Sequence, residues 1–292
     1  MNERIGVVGL GRMGLAMAET LARTGYDVTG HDVMAPARER ARAAGIAVEE
    51  RLGALLKGSG LVLSSLPRDA DVEAIVEGPE GLLAQAPGRL LVDTSTVAPP
   101  TTRRLAPLLA DHGHGLIDAP VSGGPAGAAT GALTFMVGGS AAHVARARPL
   151  LDALGKAVVH VGDSGAGNLA KLVNNLFCAT HLVGVGEALR LAEALAVDPA
   201  RLFEAVNAAS GRSAVSEVNL PRWILSGSFD SGFTMGLMRK DVRLAAALAP
   251  AAGLSLPLAR AVCELWQASA ATLPDDADFN RMTQFAPAND HD

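Results

Sequence analysis

Short apolar runs alternate with segments of helical periodicity through the first half of the chain. Arg4–Val8, Asp27–His31, Leu61–Leu66, Leu90–Asp93, Gly115–Asp118, Leu133–Val137 and Val158–Val161 predict strands. Gly14–Thr24, Ala35–Ala44, Ala70–Ile75, Thr101–His112 and Ala141–Leu154 predict the helices between them. Such alternation predicts a mostly parallel, doubly wound sheet with helices on both faces. Past Gly167 the β-rich runs stop. Asn168–Ala196, Pro199–Ala209, Val215–Leu225, Met238–Ala249 and Leu256–Ala270 are Ala/Leu-rich and predict helices alone, punctuated by Gly211, Pro221, Gly227, Gly232, Pro250 and Gly253. The pattern therefore predicts an α/β domain over residues 1–162 and an all-α domain over 163–292, joined by a long helix from about residue 168. The polar segment after Pro274 reads as a loose tail.

The end of the first predicted strand carries Gly9-Leu10-Gly11-Arg12-Met13-Gly14, a G-x-G-x-x-G loop that opens the first predicted helix. In this setting the first glycine permits a tight turn and the second lets a pyrophosphate approach the backbone. The third allows close helix–strand packing, with the helix N-terminus facing the phosphates. Asp32 stands at the end of the second predicted strand, where a carboxylate accepts from the adenosine ribose and repels a 2′-phosphate. Val33 adds no positive charge. A Rossmann-type fold binding NAD in preference to NADP is the expectation, with a solvated turn or a helix cap as the plain alternative for Asp32.

Composition narrows the class further. The chain has 292 residues, 49% of them hydrophobic and 19% charged, enough for a sizeable core. A net charge of −5 argues against nucleic acid as a partner, and 3% aromatic residues argue against a base-stacking face. The long apolar stretch Phe177–Val197 is broken by His181, Glu187, Arg190 and Glu193, so no membrane span is expected. Ile5–Leu10 is too short for a signal peptide, and Cys178 and Cys263 read as reduced thiols without metal-ligand spacing. His31, His112, His114, His143, His160 and His181 also lack ligand spacing. A cytoplasmic protein without a metal is expected.

Of 25 basic residues only four are lysines: Lys57, Lys156, Lys171 and Lys240. Arginine holds its proton near neutral pH, whereas a desolvated lysine can release it, so lysine suits acid/base work. Lys171 lies in Gly165-Ala166-Gly167-Asn168-Leu169-Ala170-Lys171-Leu172-Val173-Asn174-Asn175, four residues before Asn175. On a helix the two share a face.

With these residues the chain resembles the β-hydroxyacid dehydrogenase family, which includes 3-hydroxyisobutyrate dehydrogenase and tartronate semialdehyde reductase. The resemblance runs from Gly6 to about Trp266. It is carried in order by the glycine loop, Ser65-Leu66-Pro67, Asp93-Thr94-Ser95-Thr96, Asp118-Ala119-Pro120-Val121-Ser122-Gly123-Gly124, the Lys171 segment and Lys240-Asp241-Val242-Arg243-Leu244-Ala245. It implies that Leu66 and Pro67 border the cofactor and that Thr96 lies beside its nicotinamide half. By the same resemblance Ser122, Gly123 and Gly124 hold the substrate carboxylate, Lys171 is the catalytic acid/base, Asn175 orients substrate and Lys240 reaches the cofactor. Plain alternatives stand beside these. Ser95 and Thr96 can cap the helix near Pro99, Ser122–Gly124 can be an ordinary turn, and Lys240 can pair with Asp241.

The implied reaction is reversible oxidation of the primary alcohol of a short 3-hydroxy acid to its semialdehyde. The first-choice substrate is 3-hydroxyisobutyrate, with tartronate semialdehyde, L-threonate and 4-hydroxybutyrate as runners-up. Asn207–Ser213 resembles a helical-domain loop of the 3-hydroxyisobutyrate enzymes. A catalytically silent dinucleotide-binding module is the remote alternative. The Ala/Leu-rich half suggests a homodimer or homotetramer.

Overall fold

The computed structural model describes residues 3–286. The chain divides into two compact units, Met1–Lys171 and Leu172–Asp292.

The first unit is built on nine strands: β1 (Ile5–Val8), β2 (Val28–His31), β3 (Ala47–Val48), β4 (Leu61–Ser64), β5 (Leu90–Asp93), β6 (Gly115–Asp118), β7 (Val121–Ser122), β8 (Leu133–Gly138) and β9 (Gly155–Gly162). They form one sheet in the order β3-β2-β1-β4-β5-β6-β8-β7, with β9 also paired to β8. Pairing is parallel from β3 through β6; β8 runs antiparallel to β6 and β7, and parallel to β9.

Helices α1 (Arg12–Arg23), α2 (Ala35–Ala43), α3 (Leu52–Gly58), α4 (Asp69–Glu77), α5 (Pro99–Asp111), α6 (Gly124–Thr130) and α7 (Ala141–Leu154) belong to the same unit. Two apolar clusters explain the doubly wound arrangement. Val7, Leu63, Leu90, Val92 and Ile117 pack in one cluster with Met17 and Leu21 of α1. Their chain neighbours Val8, Val62, Leu91 and Leu116 pack in the other with Leu56, Val76 and Leu105. A strand turns successive side chains to opposite faces, so apolar neighbours require cover on both sides. Full burial of each such side chain stabilises by about 1.5–3 kcal/mol.

The predicted strands are all present. The two-residue strands β3 and β7 and the helices α3 and α6 are additional. β4 ends at Ser64, two residues short of the predicted Leu66: the Ser65 amide still donates to Val8 O at 2.9 Å, but the Leu66 amide leaves the ladder and donates to Ser95 Oγ at 2.9 Å.

The division between the units falls within α8 (Ala166–Ala194), after Lys171. The second unit continues with α9 (Pro199–Ala208), a π-helical stretch at Val215–Ile224, α10 (Met235–Ala251) and α11 (Pro257–Ala268). Its core gathers Trp266, Met235, Met238, Val242, Leu182 and Phe203. The Trp266 indole N–H donates to Ala179 O at 3.2 Å, satisfying the one polar group of that buried ring.

The expectation of a loose tail after Pro274 needs correction over residues 275–286; residues 287–292 lie outside the described residues. Phe279–Gln284 forms a 3₁₀ turn in which Phe279 and Met282 are buried in the second unit's core. Asn280 is fully buried and accepts from Asn219 Nδ2 at 2.8 Å. Two apolar residues among polar ones leave little pattern in the sequence, yet both find long-range partners.

Candidate active site

The strand order reverses between β1 and β4, and the loops that follow these two strands meet there. In open α/β sheets such a switch point is where ligands bind. Gly9 has φ +90°, and a Cβ on it would lie 2.4 Å from Ser65 O. A Cβ on Gly14 would lie 1.8 Å from Gly9 O. At Gly11 it would meet nothing within 4 Å. The first and third glycines are thus required by the protein's own packing, while the second leaves space at the start of α1. Gly11 supplies no side-chain cap, and the first-turn amides of a helix have no carbonyl partner within it. Arg12 is exposed and Met13 half-buried. This cradle fits a pyrophosphate.

Asp32 follows β2 and ties it to the same loop. Its Oδ2 accepts the Leu10 amide at 2.7 Å, and its Oδ1 accepts the Met34 amide at 2.8 Å. Each oxygen keeps acceptor capacity for a further donor. Val33 is exposed. Sequence reasoning missed Arg38, whose Nη1 donates to Asp32 O at 2.8 Å and Val33 O at 3.0 Å. A guanidinium therefore belongs to this turn, brought back from the start of α2 by a path that no local motif marks.

Leu66 is half-buried and Pro67 exposed. The Leu66 amide donates to Ser95 Oγ at 2.9 Å, joining the loops after β4 and β5. Ser95 is therefore not spent on capping α5; the Ala98 amide there donates to Asp69 Oδ1 at 2.8 Å. Thr96 is half-buried beside it. Asp93, at the end of β5, accepts from Ser64 Oγ at 2.8 Å and the Ser95 amide at 3.0 Å. Burial pushes its carboxyl up from 3.8 to about 6, against the pull of the Ser95 and Ser64 hydrogen bonds.

Beyond β6 the chain turns through Ser122, Gly123 and Gly124. Gly123 has φ +128° and Gly124 φ +62°, conformations that L side chains rarely adopt. A Cβ on Gly124 would meet nothing within 4 Å, so the backbone there is approachable.

Lys171 is 9% exposed and Asn175 4%, both on α8. Asn175 Nδ2 donates to Asp241 Oδ2 at 2.6 Å, and Asn175 Oδ1 accepts from Asn174 at 3.1 Å. Lys240 Nζ lies 3.2 Å from Asp241 Oδ1. The pairing of Lys240 with Asp241 is thus present, in a setting where the Asp241 side chain is 2% exposed. The candidate residues gather in two groups. The first unit holds the glycine loop, Asp32, Leu66, Thr96, Ser122–Gly124 and Lys171; in the second, Asp241 joins Asn175 to Lys240. Among the described residues no group of three His, Cys, Asp or Glu could hold a metal ion. No described helix is long and apolar enough to cross a membrane.

The doubly wound fold with a glycine loop at its switch point is the architecture of a dinucleotide-binding domain. Residues 4–162 match the NAD binding domain of 6-phosphogluconate dehydrogenase, and residues 165–286 match the domain described as NAD-binding of NADP-dependent 3-hydroxyisobutyrate dehydrogenase. The chain is 40% identical to the 3-hydroxyisobutyrate dehydrogenase of Pseudomonas aeruginosa over 266 residues, 87% of this chain and 88% of that one. It is 37% identical to the NAD-dependent L-serine dehydrogenase of the same organism, covering 91% of each. The solved Mycobacterium tuberculosis 3-hydroxyisobutyrate dehydrogenase with L-serine superposes with a TM-score of 0.90 at 33% identity, covering 97% of this chain and 99% of that one. The chain belongs to the β-hydroxyacid dehydrogenase family. It is an NAD-dependent dehydrogenase acting on the hydroxyl group of a hydroxy acid.

Proposed function

We propose that the chain reversibly oxidises the primary alcohol of a short 3-hydroxy acid, 3-hydroxyisobutyrate first, to its semialdehyde, with Lys171 as general acid/base. The observation that carries this reading is the buried Lys171 one helical turn from the buried Asn175. In oxidation the neutral amine of Lys171 accepts the hydroxyl proton; in reduction its ammonium returns that proton to the carbonyl oxygen. NAD, when bound, takes the hydride from the carbinol carbon. Asn175 holds the substrate beside the amine through the amide valences that Asp241 and Asn174 leave unused.

The substrate carboxylate is held by Ser122, Gly123 and Gly124, a reading supported by the open backbone at Gly124. Gly9, Leu10, Gly11, Arg12, Met13 and Gly14 take the pyrophosphate, Asp32 the ribose, and Leu66, Pro67, Thr96 and Lys240 the nicotinamide half. Asp32 gives NAD its preference over NADP. Residues 1–162 serve as the NAD-binding domain and 163–292 as the substrate and dimerisation domain.

A second substrate is favoured by a specific finding: one relative is named an L-serine dehydrogenase, and the solved neighbour is a 3-hydroxyisobutyrate dehydrogenase with L-serine. L-Serine carries the same –CH2OH next to a carboxylate-bearing carbon. Tartronate semialdehyde, L-threonate and 4-hydroxybutyrate stay on the substrate panel. NADH formation by the purified protein with NAD and each hydroxy acid, and NADH consumption with tartronate semialdehyde, test the assignment. Turnover of 3-hydroxyisobutyrate or L-serine is expected, and turnover of none of these acids overturns it.

The protein works in the cytoplasm as a homodimer or homotetramer, without nucleic-acid or membrane partners. Support for assembly comes from Phe177, Leu256 and Leu258, apolar side chains exposed on the second unit. Light scattering in solution tests it: a monomeric mass contradicts the reading.

A further inference from the structure

Asp118 ends β6 and is fully buried. Its Oδ1 accepts the Gly165 amide at 2.8 Å and its Oδ2 accepts the Asn168 amide at 2.9 Å. These amides stand at the start of α8, where a helix leaves its own donors without carbonyl partners. A helix cap usually comes from the preceding residue. Here it comes from a strand 47 and 50 residues earlier in the chain.

The carboxylate is closely enclosed. A Cβ on Gly138 would lie 2.6 Å from Asp118 Oδ1, and one on Gly167 would lie 2.3 Å from Met136 O and 2.7 Å from Asp118 O. The first turn of α8 therefore has one seat, against the ends of β6 and β8. Burial pushes the Asp118 carboxyl up, while the Gly165 and Asn168 amides work in the opposite direction by favouring the charged form.

Asn168 extends the brace. It is fully buried, its Nδ2 donates to Thr102 Oγ1 at 2.9 Å, and its Oδ1 takes the Val97 amide at a long 3.5 Å. Val97 follows Thr96 directly. Lys171 follows Asn168 by three residues, so the two are neighbours on successive turns.

We propose that Asp118, acting together with Asn168, is a positioning residue of the reaction: it fixes the height and rotation of the first turn of α8 and so aims the Lys171 amine. The claim rests on the acid/base reading of Lys171. Neither Asp118 nor Asn168 touches the reacting atoms. Their effect is geometric, and a misplacement of about 1 Å in such a group costs on the order of a hundredfold in rate. In Asp118→Asn one of the two amides would face a side-chain N–H instead of an oxygen, and the turn would shift. In Asn168→Ala the link to Thr102 and Val97 is lost, while the backbone amide remains available to Asp118.

Full-length Asp118→Asn, Asn168→Ala and Lys171→Ala are compared by thermal melt, NAD titration, and kcat and KM for NAD and hydroxy acid. Both positioning variants should fold and lose at least about tenfold in kcat, with KM for NAD within about twofold of the parent. A purely structural role would lower the melting temperature and leave kcat per folded molecule unchanged. Parental kcat in either folded variant overturns the proposal, as does a loss matched by a rise in KM for NAD. If Asp118→Asn does not fold, Asn168→Ala decides; failure of both to fold reduces the pair to structural support and overturns the proposal too. Parental turnover in Lys171→Ala would instead remove the lysine assignment, a result separable from the other arms.

Discussion

Asp32 Oδ2 accepts the Leu10 amide at 2.7 Å, so the carboxylate that ends one strand orders the glycine loop that follows another. Asp32→Ala should therefore act twice, loosening the loop and removing the ribose acceptor. With the Arg38 guanidinium still bound to the carbonyls of residues 32 and 33, a 2′-phosphate then meets a cation and no anion. The ratio of kcat/KM for NAD to that for NADP should fall at least about tenfold, about 1.4 kcal/mol. An unchanged ratio would contradict the role given to Asp32.

Gly14 and Gly11 of the glycine loop should separate by mechanism. Gly14→Ala places a methyl 1.8 Å from Gly9 O and should destabilise the protein by about 1–3 kcal/mol. Gly11→Val fills space that the protein leaves open, so stability should stay within about 0.5 kcal/mol of the parent. NAD affinity should nevertheless fall by at least about tenfold. Denaturant melts and NAD titrations of the two variants check this. A Gly11→Val protein binding NAD normally would argue against a pyrophosphate in the cradle.

Asp93 gives a pH signature. Its carboxyl lies at about 6 in the fold against an ordinary 3.8, so between these values the native state holds more protons than the unfolded state. Stability from this group is present at pH below about 4 and declines as pH rises to about 6, by up to about 3 kcal/mol. Asp93→Asn keeps an acceptor for Ser64 and Ser95 and removes the titration. The variant's melting temperature relative to the parent should therefore climb between about pH 4 and pH 7. A difference that is flat with pH would show that burial of the charge is not a cost.

Asp241 serves two residues at once, Asn175 at 2.6 Å and Lys240 at 3.2 Å. Asp241→Ala leaves a buried amide N–H and an ammonium without that acceptor and should cost about 1–3 kcal/mol in a thermal or denaturant melt. KM for the hydroxy acid should rise with it, because Asn175 is free to rotate. An unaltered KM would mean that Asn175 does not orient substrate.

Sequence patterns were most legible where a constraint is local. β1, β5 and β6 are apolar runs that must be covered on both faces, and the glycine loop records its own backbone geometry at Gly9 and Gly14. β3 and β7 have two residues each and carry no periodicity, and α6 reads Gly-Pro-Ala-Gly-Ala-Ala-Thr, with no apolar face. Arg38, and the contacts of Asp118 with the start of α8, escaped for a different reason. Each acts on backbone groups, and those of Asp118 lie 47 and 50 residues away in the chain, where no side-chain pattern marks the partner. Phe279 and Met282 likewise gain meaning only once the second unit's core is assembled.

Lys171→Ala with single-turnover hydride transfer tests the central claim most directly. Pre-bound NAD and saturating hydroxy acid should give NADH about 10²–10⁴-fold more slowly than in the parent, with NAD affinity within about twofold. A single-turnover rate equal to the parent's would show that another group takes the proton.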